Sequence, residues 1–577
     1  VSRSSRSPNP ARRVRALLTL AVAAPTLAVT GLATTGLAAT AQADGDTLTR
    51  LASRTGLTES GVREVLADDA TAELDAGELL FREPAAPAGV QERSDAEAAA
   101  ATSGSDAGSQ RLAPLAETFS LHSNPGADLV IFLDVDGGSD IGSAWDSDVQ
   151  GTHPAWDPAG DGPAFSAAEK TLVQEVWSRV AEDYAPFDVD VTTQDPGQAA
   201  LVRTDSSDTR YGTRVLITPS SVAYADLCPN GCGGLAYVGI FAATGGRYSP
   251  AWVFPQGTGN SAKSVAEAAA HEAGHNLGLT HDGDASSSYS GGQGSWAPIM
   301  GVGYYRPVTQ WSQGSYAGAT NTQDDVAILR GRLGSRADEA GATAATAAAL
   351  TATGAGALGG TGVIGSADDV DAWTLGTCAA GGSVTVTAPD LGTDLDVRAR
   401  LVRAGDVGSP LAVAAPTTTT VNSRTAAGMD AGLTVPADES DWVVLVDGVG
   451  QGSWSSGGYD DYGSLGQYVV TATGCAGSGA TTGTSNETTD TSTGAPDAPG
   501  RPRVRVRGDG SVVLTWAAAQ GDVSAYRVRG TQVRRTVAAD VRRVVVRNLD
   551  GGQHRVRVVA VGDGGTAASP WRRWRMG

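Results

Sequence analysis

The hydrophobic positions of this chain change their spacing from one stretch to the next, and each spacing predicts a different element. An apolar run from Ala16 to about Ala39 follows Arg3, Arg6, Arg12, Arg13 and Arg15 and ends near Ala41-Gln-Ala43. Basic, apolar and small-x-small in that order is the form of a secretory signal, removed before Asp44. Pro25 and the scattered Thr and Gly make the run a poor permanent membrane span. Leu48, Leu51, Leu57, Val62, Val65 and Leu66 suggest two short amphipathic helices, and after Glu83 the chain becomes an Ala, Pro, Ser and Gly stretch that reads as a linker. Lying between a signal and a larger domain, residues 44–118 read as a propeptide, with a disordered spacer as the bland alternative.

Leu129 to Leu133 is a short run of strand formers, whereas Leu172, Val173, Val176, Trp177 and Val180 keep the period of a helix that stops before Pro186. Phe187 to Thr193 alternates as a strand, and Arg214 to Thr218, Gly234 to Phe241 and Ala251 to Phe254 follow as further strands. Strands interleaved with helices in this order predict a mixed α/β sheet. From about Gly341 the pattern changes to short alternating runs such as Ser383 to Thr387 and Trp442 to Val446, an all-β sandwich pattern. A Thr, Ser and Gly linker at 477–495 separates it from a second all-β segment containing Val512 to Trp516, Ala525 to Val528 and Leu549 to Val558.

Length and charge sharpen this picture. A chain of 577 residues is too long for one core. Its net charge of −21 is unevenly spread: from Ala498 to the end there are 16 arginines against five aspartates, behind an acidic body. That surplus suits an anionic cell-wall polymer or acidic substrates; nucleic acid, a weaker version of the same electrostatics, is not expected. Four cysteines in an exported chain favour disulfides. Cys228 and Cys232 are close enough for a short bridge through Pro229-Asn-Gly231. No segment after the signal is apolar enough to cross a bilayer, so a secreted monomer, free or wall-associated, is expected.

The chemistry concentrates in Ser264 to Asp282. Ser264 with Glu267 fits a capping box, and the alanines after it favour a helix. On that helix His271 and His275 lie one turn apart on the same face, Gly278 can end it in a left-handed conformation, and His281 can then fold back beneath them. Three neutral imidazoles leave the fourth position of a zinc ion open, the arrangement of a catalytic site. Glu272, next to a ligand but rotated off its face, is placed to act as general base in hydrolysis of a peptide bond. Asp134 and Asp136, and separately Asp368, Asp369 and Asp371, are candidate Ca2+ carboxylates; a solvated strand end and a polar turn are the plainer readings. His122 and His153 lie outside any metal spacing and read as local structural groups.

His271-Glu-x-x-His275-x-x-Gly278-x-x-His281, followed by Pro298-Ile-Met300-Gly, resembles the metzincin signature with its Met-turn. Asp282 after the third histidine and Ala236-Tyr-Val-Gly239 upstream are most similar to the reprolysin (adamalysin) branch. The resemblance implies zinc on His271, His275 and His281, and Glu272 as the catalytic base. It further implies Met300 as an apolar base beneath the ligands, Asp282 as a buried structural carboxylate, and Leu235, Ala236, Tyr237, Val238 and Gly239 as the edge strand that receives substrate. Two features depart from relatives: Val302 stands where some carry a ligating tyrosine, and no cysteine precedes Cys228, so latency must come from an acidic or steric plug.

Asp368-Asp-Val-Asp371-Ala-Trp and Gln467 to Thr471 resemble the bacterial pre-peptidase C-terminal domain, which implies a bridge from Cys378 to Cys475. The last segment resembles a fibronectin type III domain with Trp516 in its core. The expected organisation is a signal at 1–43, a propeptide at 44–118, a zinc protease domain at 119–337, a β-sandwich at 338–476, the linker, and a β-sandwich at 496–577. The fold class is therefore an α/β catalytic domain followed by two all-β sandwiches, and the activity a secreted zinc endopeptidase acting on proteins or peptides. The alternative is a wall-binding or adhesive zinc protein with vestigial proteolysis.

Overall fold

The computed structural model describes residues 44–577 except 88, 91–112, 146–148, 163, 355, 437–439, 478–497 and, near the end, 508–510, 520–522, 524, 532, 539–540, 547–548, 550, 563–564 and 577. The signal, most of the Ala-Pro-Ser-Gly stretch and the later linker lie outside the described residues. The chain divides into two compact units, Val1–Ala480 and Thr481–Gly577.

A seven-stranded sheet organises the first unit. Its strands are β1 (Ala72–Asp75), β2 (Glu78–Pro84), β3 (Leu129–Asp134), β4 (Val189–Thr192), β5 (Gly212–Ile217), β6 (Cys232–Tyr237) and β7 (Ala251–Val253), in the spatial order β1-β2-β6-β7-β5-β3-β4. The pairs β4 with β3, β3 with β5 and β5 with β7 are parallel, whereas β7 with β6, β6 with β2 and β2 with β1 are antiparallel. The sheet is thus mixed, as the strand pattern predicts. Its first two strands come from the N-terminal segment, between the part read as two helices and the part read as a linker.

Alternation along the central strands assigns their two faces. Ile131, Leu133, Val215, Ile217, Ala251 and Val253 join the core that holds α3 (Ala167–Asp183) and α4 (Ala262–Leu277). Leu216, Leu235, Tyr237 and Trp252 face a second core with Trp145 and Val149. Covering on both faces explains why every residue of β6 and β7 is buried. Residues 44–68 form α1 (Gly45–Thr55) and α2 (Glu59–Asp68), capped by Asp44 and Thr58. Leu48, Leu51, Val62 and Leu66 pack there with Leu79 and Phe81 of β2 and with Val238.

The following region has two five-stranded sheets. Strands Cys378–Thr387 and Gly466–Cys475 pair with Cys378 opposite Cys475, and these cysteines are bonded, as are Cys228 and Cys232. Leu375, Val384 and Trp442 of the sandwich share a core with Val180 and Leu329 of the α/β region, so the boundary drawn at residue 337 falls inside one compact unit. Gln467 donates to Glu182 through both its backbone N–H and its side-chain amide, each at 3.0 Å, and Arg424 pairs with Glu175.

The second unit contains a three-stranded sheet and a sheet built on Ala525–Gly530 and Gly552–Gly562. Trp516 and Tyr526 lie in its core, with ring centroids 5.8 Å apart. Among the described residues, no helix is long and apolar enough to cross a membrane.

Candidate metal centre

α4 carries the first two histidines, and its cap corrects one expectation. Ser261 is the N-cap, accepting from the Ser264 backbone N–H at 3.2 Å, so no capping box forms between Ser264 and Glu267. Glu267 instead pairs with the buried Lys263, whose ammonium also donates to Gly303 O at 3.0 Å. The helix ends at Gly278, whose φ of 113° is left-handed. Gly278 has a second reason to lack a side chain: a Cβ there would lie 2.4 Å from Arg54 O at the end of α1.

The turn brings His281 back to the helix. Its Nε2 lies 3.1 Å from that of His275, and the ring centroids of His271 are 4.6 Å from His275 and 5.3 Å from His281. Each outer ring nitrogen has an acceptor. His271 Nδ1 donates to Ile299 O at 2.9 Å, His275 Nδ1 to Leu279 O at 2.9 Å, and His281 Nδ1 to Asp69 Oδ2 at 2.6 Å. A carbonyl only accepts, so the proton sits on Nδ1 of His271 and His275, leaving the Nε2 lone pairs facing inward. His271 Nε2 is buried with no hydrogen-bond partner. Such a donor set fits a zinc ion, with acceptors that fix the tautomers as they do around metal-binding histidines.

Glu272 is fully buried and neither carboxylate oxygen has a hydrogen-bond partner. It reaches toward β6, where a Cβ on Gly234 would stand 2.2 Å from Glu272 Oε1. Burial, reinforced by Glu83, raises its carboxyl well above the usual range. A cavity of about 440 Å3, counting space open to solvent, is lined by Gly234, Glu267, His271, Glu272 and Tyr304. Met300 lies under the helix, 2.7 Å from where a Cβ on Gly274 would be. Asp282 is fully buried, and burial pushes it up to about 8. Its backbone N–H donates to Met300 O at 2.8 Å, which ties the third histidine's turn to the Met300 turn.

The predicted substrate strand is placed differently. Leu235, Ala236 and Tyr237 belong to β6, but Val238 and Gly239 lie beyond it, and β6 is not an edge. β2 pairs along it, with Leu80 opposite Tyr237, Phe81 opposite Ala236 and Arg82 opposite Leu235. Past the strand, Gly239 N–H donates to His275 O at 2.8 Å and Asn276 Nδ2 to Tyr237 O at 2.9 Å, locking the end of β6 to α4.

Four more groups at the centre come from places the sequence pattern did not single out. Glu83 puts Oε1 2.9 Å from His281 Nε2 and 3.2 Å from His275 Nε2, with Oε2 3.7 Å from His271 Nε2. Phe81 packs on His275 and His281 at centroid distances of 4.7 and 4.0 Å. Tyr289 stands 4.1 Å from the His281 ring and shares a 2.9 Å hydrogen bond with Thr71. Asp69 is the fourth. Burial pulls His275 down to about 4; on His281 it acts the same way but is outweighed by Glu83 and Asp69, which lift that ring to about 9. The available signal was Asp75-Ala-Gly77 followed by Glu78-Leu-Leu-Phe-Arg, a turn leading into strand formers.

The other candidate groups are also placed. Asp134 is buried and taken by Arg214, whose Nε donates at 2.7 Å, so this carboxylate is half of an ion pair. His122 bonds Asp190 at 2.7 Å, and His153 is buried between Ser220 and Val149 O. Asp369 and Asp371 converge with Asp338, not Asp368.

Residues 186–282 match the metallo-peptidase family M12B, reprolysin-like. This stretch runs from just before β4 to Asp282, so it contains the three histidines and Glu272. No curated protein matches the chain as a relative. Similar solved structures include the fibronectin type III domain of human collagen XX, at 17% identity, covering 16% of this chain and 99% of that one with a TM-score of 0.13. A two-domain fibronectin type III segment from chicken tenascin is 12% identical, covering 36% and 97% with a TM-score of 0.12.

Proposed function

We propose that this chain is a secreted zinc endopeptidase, made with an N-terminal propeptide, that hydrolyses protein or peptide substrates at the centre between α4 and β6. The observation that carries the reading is the convergence of three inward Nε2 atoms beside a buried carboxylate without a partner, within the stretch that matches the M12B family. Bound zinc would supply Lewis acidity toward the scissile carbonyl and the attacking water. The rest is done by the chain. His271, His275 and His281 hold the ion through Nε2, each oriented by the acceptor on its Nδ1. Glu272, buried beside the ligands with neither oxygen engaged, takes the proton of the attacking water and passes it to the leaving amine. Met300 and Asp282 keep the ligand turn in place beneath the helix.

The chain's own carboxylates suggest a second ion. Asp338, Asp369 and Asp371 offer oxygens within 4.8 Å of one another, and Asp371 Oδ1 is buried without a partner, which supports calcium there. The basic second unit suits docking on an anionic wall polymer.

The deciding comparison is wild type against Glu272→Gln, assayed for bound zinc and for cleavage of a proteome-derived peptide library before and after limited proteolysis of the N-terminal segment. Both should hold one zinc, and the variant should lose at least about a hundredfold in hydrolysis, as expected on removing a general base. Equal cleavage by both, or no zinc in either, sinks the reading; absence of cleavage by wild type in every form favours the adhesive alternative.

A further inference from the structure

The cleft in which an extended substrate would lie along β6 is filled by the chain's own residues. β2 runs antiparallel to β6 and in register until Arg82, where the pairing slips before Pro84 meets Cys232. Glu83 sits at that slip. A bulge re-aims one side chain relative to the strict alternation of a strand, and here the carboxylate is directed among the three histidines. It is 8% exposed, although a glutamate ending an ordinary strand would keep its charge in water. One donor atom from each of Glu83, His271, His275 and His281 falls within 4.8 Å of the others.

We propose that Glu83 is a fourth protein ligand of the metal, and that the β1–β2 hairpin is a built-in occupant of the substrate cleft that keeps the site closed. This rests on the zinc reading above. Three imidazoles and one carboxylate complete a four-coordinate zinc site, whereas catalysis needs one position free for water or substrate. Among the described residues of the N-terminal segment, Glu83 brings its carboxylate to the Nε2 atoms of the histidines.

The hairpin is anchored as a part that must stay put until removed. Arg54 of α1 pairs with Glu78 at the start of β2, and its carbonyl accepts from Arg332 Nη2 at 2.7 Å. Gln323 Nε2 donates to Thr55 O, joining α1 to the loop behind His281. Gly239 leaves room for Arg54, because a Cβ there would stand 2.6 Å from Arg54 Cβ. Asp69, just before the hairpin, holds His281 Nδ1, so the N-terminal segment reaches the third histidine from both sides. Tethering makes the competition intramolecular: an attached ligand acts at an effective concentration of about millimolar or higher, which free substrate must exceed.

The test uses the full chain with cobalt(II) in place of zinc, because cobalt's visible absorption reports coordination number without any turnover. Wild type, Glu83→Gln and Glu83→Ala are compared before and after addition of acetohydroxamate, a small bidentate metal ligand. Wild type should show a four-coordinate spectrum that acetohydroxamate leaves unchanged. Both variants should bind cobalt at least about tenfold more weakly, change spectrum and respond to the hydroxamate, and Glu83→Ala should gain at least tenfold in peptide hydrolysis. Glu83→Gln keeps the side chain's size and so carries the test should Glu83→Ala misfold. Identical spectra for wild type and Glu83→Gln, or a wild type that takes up acetohydroxamate as readily as the variants, overturns the proposal and leaves the three-histidine site standing. A wild type that binds no cobalt overturns the metallopeptidase reading itself.

Discussion

At the scale of the residue, the centre depends as much on missing side chains as on present ones. Gly234 leaves room for Glu272, and Gly274 leaves room for Met300. Gly274→Ala brings a methyl to 2.7 Å from the Met300 sulfur, and overpacking of this kind costs about 1 to 3 kcal/mol. The expected outcome is a lower melting temperature with zinc stoichiometry retained; an unchanged melting curve would show that Met300 moves away freely. Glu182 makes a pH prediction. Burial lifts it to about 8, opposed by its hydrogen bonds with Gln467. Its folded value lies above its unfolded value, so its stabilising contribution is complete below about pH 4.3 and is lost as pH rises toward 8. The melting temperature should fall by on the order of 5 °C between pH 5 and pH 8, and Glu182→Gln should flatten that fall.

At the scale of the element, the hairpin of residues 72–84 carries one buried aromatic, Phe81, beside the histidines. Phe81 is fully buried against His275 and His281 and belongs to the core of α1 and α2. Truncating a buried phenylalanine costs about 3 to 5 kcal/mol. In Phe81→Ala, amide hydrogens of Leu80 and Arg82 should exchange at least tenfold faster while those of β3 and β5 keep wild-type protection. Uniform protection across the sheet would mean that the hairpin is held by other contacts. The two disulfides differ in what they close. Cys378 and Cys475 span 97 residues and Cys228 and Cys232 span four, and the loop-entropy account makes the longer bridge the more stabilising. Replacing Cys378 and Cys475 by alanine should cost about 2 to 5 kcal/mol, measured by denaturant unfolding, against a smaller loss for the short bridge.

At the scale of the molecule, each compact unit has its own core, one running through the α/β sheet and the sandwich and the other around Trp516 and Tyr526. Calorimetry of the whole chain should therefore resolve two transitions. A bound metal stabilises the unit that binds it by mass action, so chelation with 1,10-phenanthroline should lower the larger unit's midpoint and leave the smaller one's within error. Movement of both midpoints would contradict a metal held within the larger unit alone.

Spacing alone carried the local part of this protein. His271 and His275 share a face because a helix repeats every 3.6 residues, Gly278 ends the helix because it tolerates a positive φ, and the runs of strand formers at 129–133, 214–218 and 251–254 marked central strands of the sheet. These properties depend on neighbours in sequence. What came from tertiary structure depends on distant ones. Glu83 lies 198 residues before His281 in the chain, at the point where the N-terminal segment gives way to a linker pattern, and it reaches the histidines only because β2 pairs with β6. Asp69 fixes His281 across a similar span, and Lys263 is buried because Glu267 and Gly303 satisfy it. β6 reads the same whether its outer side is free or paired, because the hydrogen bonds that decide it are made by backbone atoms that every sequence shares.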